Sequence, residues 1–595
     1  MEKVLKRSEI SDNFKWKNSD LVANSQEFEK IFNEILALMD KIVGMKGKLN
    51  QKDVLLTCLK TSDEAECKLE KIYAYKFMIV DQDLNVSESN SEYQRVFGLY
   101  VKYSENTSFV TTELSSLPNE YLNSVANDPA FKDYDLAIKR IIEGREHLLG
   151  EKEEQLLAGL GEIYDSFSNI FNMSTDADMV FPSIKDENGN DVQLSHSKYG
   201  LLLASSNREV RKNAYETYYK EFGKNINHIS ATYSASVKKD CFLAKTRKFS
   251  SALECALFYE EVSKEVYERL LLNISKTCPK VHEYIALRKK ALNLPDIRFY
   301  DLYTSMVESK DLKLKYEDAI ELVKTALKPL GQEYAELLNK AFTEGWIDIY
   351  NNEGKRSGAY SLGTYDCHPF VLLNYEETSH DVFTIAHELG HAMHSYFSSK
   401  FQPYAKHDYK IFVAEVASTV NEVLLLRNLI DNAKDKETKK FYLNYFLDMF
   451  RTTIFRQTMF AEFESVAHSK EESGIPLTKD LMNEEYEKLN KKYYGTEIIH
   501  DEFIKTEWCR IPHFYRTFYV YKYATGLISA ISIAYGILEN GQENVDSYMK
   551  FLQSGASDIP TNLLKIAGVD LTTDAPFEKA MNIFASTLDE LKSMY

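Results

Sequence analysis

The chain has 595 residues, a formal net charge of −18 and 44% hydrophobic residues. That acidity excludes nucleic acid as an expected partner, because phosphate binding needs a basic surface. The 23 Gly and 12 Pro are about half the usual share of such breakers, so a mainly α protein with a large core is expected.

Met1 to Asp20 holds no apolar segment of the kind a secretory signal needs, and Gly526 to Leu538 is too short and mixed to span a membrane. Cys58, Cys67, Cys241, Cys255, Cys278, Cys367 and Cys509 are odd in number and scattered. They read as reduced thiols of a cytoplasmic protein. Residues 20–180 predict successive amphipathic helices, with turns at Ser115 to Asn119 and at Asn127-Asp128-Pro129. A β-hairpin is expected over Met179 to Leu194, turning on Asp186 to Asn190. This opening part, 1–200, is expected to form a helical N-terminal domain.

Helices resume from Ser206 to Leu292. Three strand candidates then follow: Ile297 to Tyr303; Trp346 to Tyr350 with its return at Gly358-Ala359-Tyr360-Ser361; and Phe370 to Tyr375. A small sheet here would lie beside the next helix, and its edge could hydrogen-bond an extended peptide. Gly358, Ala359 and Tyr360 are the candidate substrate-binding positions on it. An ordinary core-covering sheet is the alternative.

That next helix carries Ala386-His387-Glu388-Leu389-Gly390-His391, an H-E-x-x-H pattern. Residues four apart rise about 6 Å and rotate about 40°, so His387 and His391 share a face and can reach one metal ion. Glu388 sits one step round, placed to take a proton from a metal-bound water. An accidental match on a polar face is the bland alternative. The apolar pattern of Val382, Phe383, Ile385, Ala386, Leu389 and Met393 argues against it by burying the helix. Thr378, Ser379 and Asp381 supply capping residues upstream. His394 shares the face but lies about 10 Å along the axis from His387, beyond the reach of metal bonds of about 2 Å, and reads as packing or as support behind the ligands.

Catalytic zinc takes three protein ligands and a water. A helix beginning near Tyr409 to Phe412 carries Glu415 and Glu422, seven residues apart and on one face. Glu415 stands among Val413, Ala414, Val416 and Ala417, where a carboxylate costs several kcal/mol unless paired. Metal ligation would offset that cost; a salt bridge is the alternative for both residues. Glu422, if functional, would accept from a ligand histidine.

The strings Asp381 to Ser395 and Phe412 to Thr419 resemble the oligoendopeptidase F branch of the thimet-oligopeptidase-like zinc metallopeptidases. So do Ser357 to Tyr375, Phe455 to Glu462, and Ile511 to Tyr515 through Tyr519 to Gly526. The likeness runs from about residue 200 to near the C-terminus, so 201–595 is expected to be the catalytic domain. The resemblance implies a helical, clam-shaped fold with a deep channel, one Zn²⁺ per chain, and cleavage of oligopeptides rather than folded proteins. It makes His387, His391 and Glu415 the metal ligands and Glu388 the general base. It also gives a His and Tyr cluster the task of holding the substrate and its developing oxyanion. Here that segment holds His513, Tyr515, Tyr519, Tyr521 and Tyr523; His513 and Tyr521, then Tyr515, are the expected catalytic members, and Tyr519 the substrate-binding one.

The expected activity is endopeptidase hydrolysis by metal-activated water. Three rivals share some of these features: a helical zinc carboxypeptidase, a non-enzymatic peptide-binding helical protein, and an arylesterase-like metallohydrolase.

Overall fold

The computed structural model describes residues 4–307 and 313–595. Helices carry most of the chain, and the strands are short: β1 (Ser183–Lys185), β2 (Asp191–Gln193), β3 (Ile297–Arg298), β4 (Ile347–Asp348), β5 (Tyr360–Leu362), β6 (Phe370–Leu372) and β7 (Ile498–Ile499). The chain forms two compact units. One comprises Met1–Arg145, Asp311–Asn428 and Ile533–Val569; the other comprises Glu146–Lys310, Leu429–Ser532 and Asp570–Tyr595.

In the first unit the helices Ser25–Val43, Lys52–Gln82 and Ser87–Thr107 bury Phe28, Ile35, Leu55, Ile72 and Val96 in one core. Phe370 and Leu372 of β6 join that core, which fixes the sheet against it. The sheet order is β4-β6-β5, with β4 parallel to β6 and β5 antiparallel to it. Asp348 of β4 is fully buried. It is paired by Arg7 at 2.7 Å and by the Lys355 ammonium at 2.7 Å, so its charge is compensated where solvent is excluded.

The helix Ser379–Phe401 starts with a capping box. The Thr378 hydroxyl accepts from the Asp381 N–H at 3.2 Å, and the Asp381 carboxylate accepts from the Thr378 N–H at 2.9 Å. It ends before Pro403, which cannot continue the backbone ladder. We call it the metal helix. The helix Ile411–Asp431 follows it and is called the carboxylate helix.

In the second unit the long helices Arg208–Thr246 and Lys264–Ala291 dominate. The expected hairpin is present as β1 and β2, with Gly189 taking φ +79° in its turn. The expected strand over Ile297 to Tyr303 is much shorter and does not join the sheet beside the metal helix. Only Ile297 and Arg298 are extended, paired parallel to β7. The chain then coils into a 3-10 turn at Phe299–Asp301. The cause is Asp301, which is fully buried. It accepts from the Arg298 N–H at 3.0 Å and from Arg208 and Arg211 at 2.9 and 2.7 Å.

All seven cysteines are unpaired. Among the described residues no helix is long and apolar enough to cross a membrane.

Candidate metal centre

The metal helix and the carboxylate helix meet at Gly390. A Cβ built on it would lie 2.4 Å from the Ser418 Cα and 2.7 Å from the Ala417 carbonyl oxygen. Only a residue without a side chain lets the two backbones come this close. Asn421, fully buried on the carboxylate helix, ties the contact. Its amide donates to the Ala386 carbonyl at 2.9 Å, and its oxygen accepts from the Tyr334 hydroxyl at 3.0 Å.

This approach brings three donor atoms together. His387 Nε2 and His391 Nε2 are 3.2 Å apart, and each lies 3.4 Å from Glu415 Oε2. Tetrahedral bonds of about 2.0–2.1 Å to zinc place neighbouring donors about 3.3–3.4 Å apart, so the triangle has the size of three tetrahedral corners. Among the described residues it is the one group of His, Cys, Asp and Glu side chains drawn close enough to hold a metal ion. The Ser418 hydroxyl donates to the Glu415 carbonyl at 3.0 Å and lies 3.3 Å from its carboxylate, beside the third corner. Behind the first corner, the Glu422 carboxylate meets His387 Nδ1. That contact leaves Nε2 as the nitrogen facing the other two donors and fixes the ring.

The electrostatics suit a cation. Burial disfavours the imidazolium of His387, but hydrogen bonding to Glu415 and Glu422 outweighs this and raises its pKa to about 10. Hydrogen bonding to His387 and then His391 holds the Glu415 carboxyl far below the usual carboxylate range. Positive charge is therefore strongly favoured between these groups.

The apolar neighbours of Glu415 do not bury it: its side chain is 48% exposed, because Val413, Val416 and Ala417 occupy the buried face and Glu415 looks away from them. Glu388 is the buried carboxylate, only 8% exposed. Burial raises its pKa, against the pull of His387 and His391. His394 is packing: 1% exposed, its ring stacks on Tyr409 at 3.7 Å and meets Phe551 at 5.2 Å.

Strand β5 is an edge of its sheet and runs along the metal helix. A Cβ on Gly363, just past the strand, would meet the Ser395 Cβ at 2.6 Å. At the other end Gly358 and Ala359 share a cavity of about 260 Å³ with His380 and Thr384. A second cavity, about 590 Å³, lies at the Gly363 and Ser395 end and also takes in Glu70, Tyr404 and Asp408. On the helix, Thr384 is one turn before His387 and Ser395 one turn after His391, so the cavities flank the donor triangle. Gly358 is exposed and takes φ +84°, with its carbonyl accepting from the Asn374 amide at 2.7 Å. Tyr360 turns its ring into the core, against Phe77 at 5.8 Å, with its hydroxyl on Asp81 at 2.9 Å. Any contact it makes to a peptide therefore comes from its backbone.

In the second unit the structure gathers His513, Tyr519 and Tyr523. The Tyr523 hydroxyl is 3.4 Å from His513 Nε2, and the Tyr519 ring lies 6.4 Å from the His513 ring and 5.4 Å from that of Tyr523. The other two tyrosines of the segment go elsewhere. Tyr521 is fully buried against Tyr267 at 5.3 Å, and Tyr515 is buried against Phe171 at 4.8 Å. Burial raises the pKa of both phenols.

Sequence reasoning passed over Gly390, Asn421 and Ser418 as parts of this centre. Asn421 carried a signal, a polar residue inside the apolar run Val420 to Leu426.

Residues 201–583 match the sequence profile of peptidase family M3, and residues 113–181 match that of oligopeptidase F. The chain belongs to peptidase family M3. It is accordingly a metalloendopeptidase. It is 42% identical to oligopeptidase PepF of Bacillus subtilis, over 99% of this chain and 88% of the relative. The crystal structure of oligoendopeptidase-F from Enterococcus faecium matches with TM-score 0.72 and 35% identity, over 96% of this chain and 99% of that one. A crystal structure from Chlamydophila abortus matches with TM-score 0.94 and 35% identity, over 100% of both chains.

Proposed function

We propose that this M3 peptidase is a zinc-dependent oligoendopeptidase that cuts internal bonds of short peptides. His387, His391 and Glu415 would hold one Zn²⁺, and Glu388 would act as general base. The observation that carries this reading is the 3.2, 3.4 and 3.4 Å donor triangle with Glu422 behind His387. The short-peptide preference is drawn from the related oligoendopeptidases.

When bound, zinc lowers the pKa of a coordinated water to about 7 and polarises the scissile carbonyl. The protein does the rest. The edge of β5 offers free backbone groups to an extended peptide lying over the metal helix, with a cavity on each side for its side chains. Glu388, with its pKa raised by burial, takes the proton from the attacking water and returns it to the leaving amine. In the second unit His513, Tyr519 and Tyr523 lie together while Tyr515 and Tyr521 turn inward, which supports giving the first three the task of holding substrate and oxyanion. The unpaired thiols support a reducing, cytoplasmic location.

The test is digestion of peptides blocked at both ends, read by mass spectrometry with and without a chelator. Internal cleavage that stops on chelation and returns with zinc is expected. Glu388→Gln should keep zinc and lose at least about 10²-fold in kcat. Cleavage confined to peptides with a free C-terminus would instead favour a carboxypeptidase.

A further inference from the structure

Between His513 and Tyr519 the chain makes a turn that L-residues avoid. Phe518 has φ +50°, the left-handed region, where a bulky aromatic side chain is a genuine outlier. Such a conformation persists only when its surroundings over-determine it. Two residues on the helix Arg456–Glu472 do so. Glu464 accepts from the Phe518 N–H at 3.0 Å. One turn on, the His468 ring packs on the Phe518 ring at 4.6 Å. His468 is itself fixed, its Nδ1 to the Glu464 carbonyl at 2.8 Å and its Nε2 to Asp240 at 3.2 Å.

Glu464 is an unusual residue for this place. It is fully buried, its second oxygen has no hydrogen-bond partner among the described residues, and burial lifts its pKa well above the usual carboxylate range. A carboxyl group buried in a core, with one oxygen unused, is a poor choice for stability alone. Its remaining oxygen is aimed at the single N–H that the left-handed turn presents.

The consequence lies one residue on. The reversed turn carries the chain from Pro512–Tyr515 into the helix Tyr521–Asn540. It leaves the His513 and Tyr519 rings 19° from parallel, with the Tyr523 hydroxyl against His513. We propose that Glu464 is a positioning residue for the His513, Tyr519 and Tyr523 cluster, holding the Phe518 turn that brings these three side chains together. The proposal rests on the reading of that cluster as the group that holds substrate and oxyanion.

The test uses the full-length, zinc-loaded enzyme and an end-blocked peptide. Glu464→Met keeps the length of the side chain and removes the acceptor oxygen; Glu464→Gln keeps an acceptor. Glu464→Met is expected to lower kcat by on the order of 10–100-fold with KM changed less than about threefold and zinc content unchanged. Glu464→Gln should stay within about threefold of wild type. In a His513→Ala background, Glu464→Met should cost little further kcat, because the group it positions is gone. Retained kcat in Glu464→Met, or an equal loss in the His513→Ala background, overturns the proposal.

Should the Met variant fail to fold, Phe518→Gly and Phe518→Ala decide. Both lose the ring, but only Gly takes the left-handed turn without strain. Ala should then lose about tenfold more kcat than Gly, and equal losses overturn the proposal. Unchanged kcat in both His513→Ala and Tyr523→Phe would remove the reading of the cluster itself. Lost kcat there with an unaffected Glu464→Met would remove only the role of Glu464.

Discussion

Gly390→Ala adds one methyl group at the junction that sizes the metal centre. Its Cβ would lie 2.4 Å from the Ser418 Cα and 2.7 Å from both the Ser418 nitrogen and the Ala417 oxygen. Ordinary contact begins near 3.4 Å, so the two helices must part by about 1 Å locally. The atoms met are backbone, and no side-chain rotation relieves them. Glu415, three residues from Ser418, moves with the carboxylate helix. Its 3.4 Å separations from His387 and His391 then open well past what metal bonds held within about 0.2 Å tolerate. Overpacking alone costs about 1–3 kcal/mol of stability, and loss of the third ligand's geometry should weaken zinc binding at least about 10–100-fold. The assay is zinc affinity by chelator competition, paired with melting of the metal-free and zinc-loaded protein, whose difference reports binding to the folded state. Gly223→Ala, in an exposed helical position with nothing within 4 Å of the added atom, is the control. It should stabilise by up to about 1 kcal/mol. A folded Gly390→Ala protein with wild-type zinc affinity would refute the argument that the helix contact sets the donor spacing.

Glu422→Ala removes the acceptor behind His387 without touching the donor triangle. Zinc affinity should fall about 10–100-fold, measured by the same competition, and an unchanged affinity would deny Glu422 its orienting role. His394 makes stability pH-dependent. Burial lowers its pKa to about 3, below the ordinary value near 6.5, so the unfolded chain binds the proton that the folded one refuses. This costs nothing above about pH 6.5 and about 1.4 kcal/mol per pH unit as pH falls below it, down to about pH 3. Denaturant unfolding of metal-free protein between about pH 6.5 and pH 5 should show this slope, and His394→Phe, which keeps an aromatic ring against Tyr409, should flatten it.

The donor geometry was legible because it follows helical spacing. His387 and His391 four apart give two corners, and Glu415 with Glu422 seven apart gives the third corner and the support behind the first. These relations hold wherever a helix forms, and the capping residues Thr378 and Asp381 announced that one would. Glu415 faces the two histidines although its apolar neighbours are buried and it is not: helical angle, not apolar neighbours, decides which way a side chain faces. The tyrosine segment shows the converse. Tyr515, Tyr519, Tyr521 and Tyr523 look equivalent in a string, but the helix begins at Tyr521, and about 100° per residue sends Tyr521 inward and Tyr523 toward His513. Only the turn at Phe518 fixes where that rotation starts. Its N–H is bonded to Glu464, 54 residues earlier, and no local pattern encodes such a contact.

The same dependence explains why the sheet was partly misread. Ile297 to Tyr303 has the composition of a strand, yet Asp301 is drawn into a buried cluster with Arg208 and Arg211, and the backbone coils to deliver it. Tertiary charge pairing overrode local propensity there. At β6 nothing competes: Phe370 and Leu372 face a core that wants them, and the strand forms as read. What the sequence could not show is the joint between the two metal-centre helices. Gly390 has no side chain to announce a contact, and Asn421 declares only that something polar must meet it. Together they set a spacing that the donor atoms inherit, so the size of the donor triangle is decided by two residues that are not part of it.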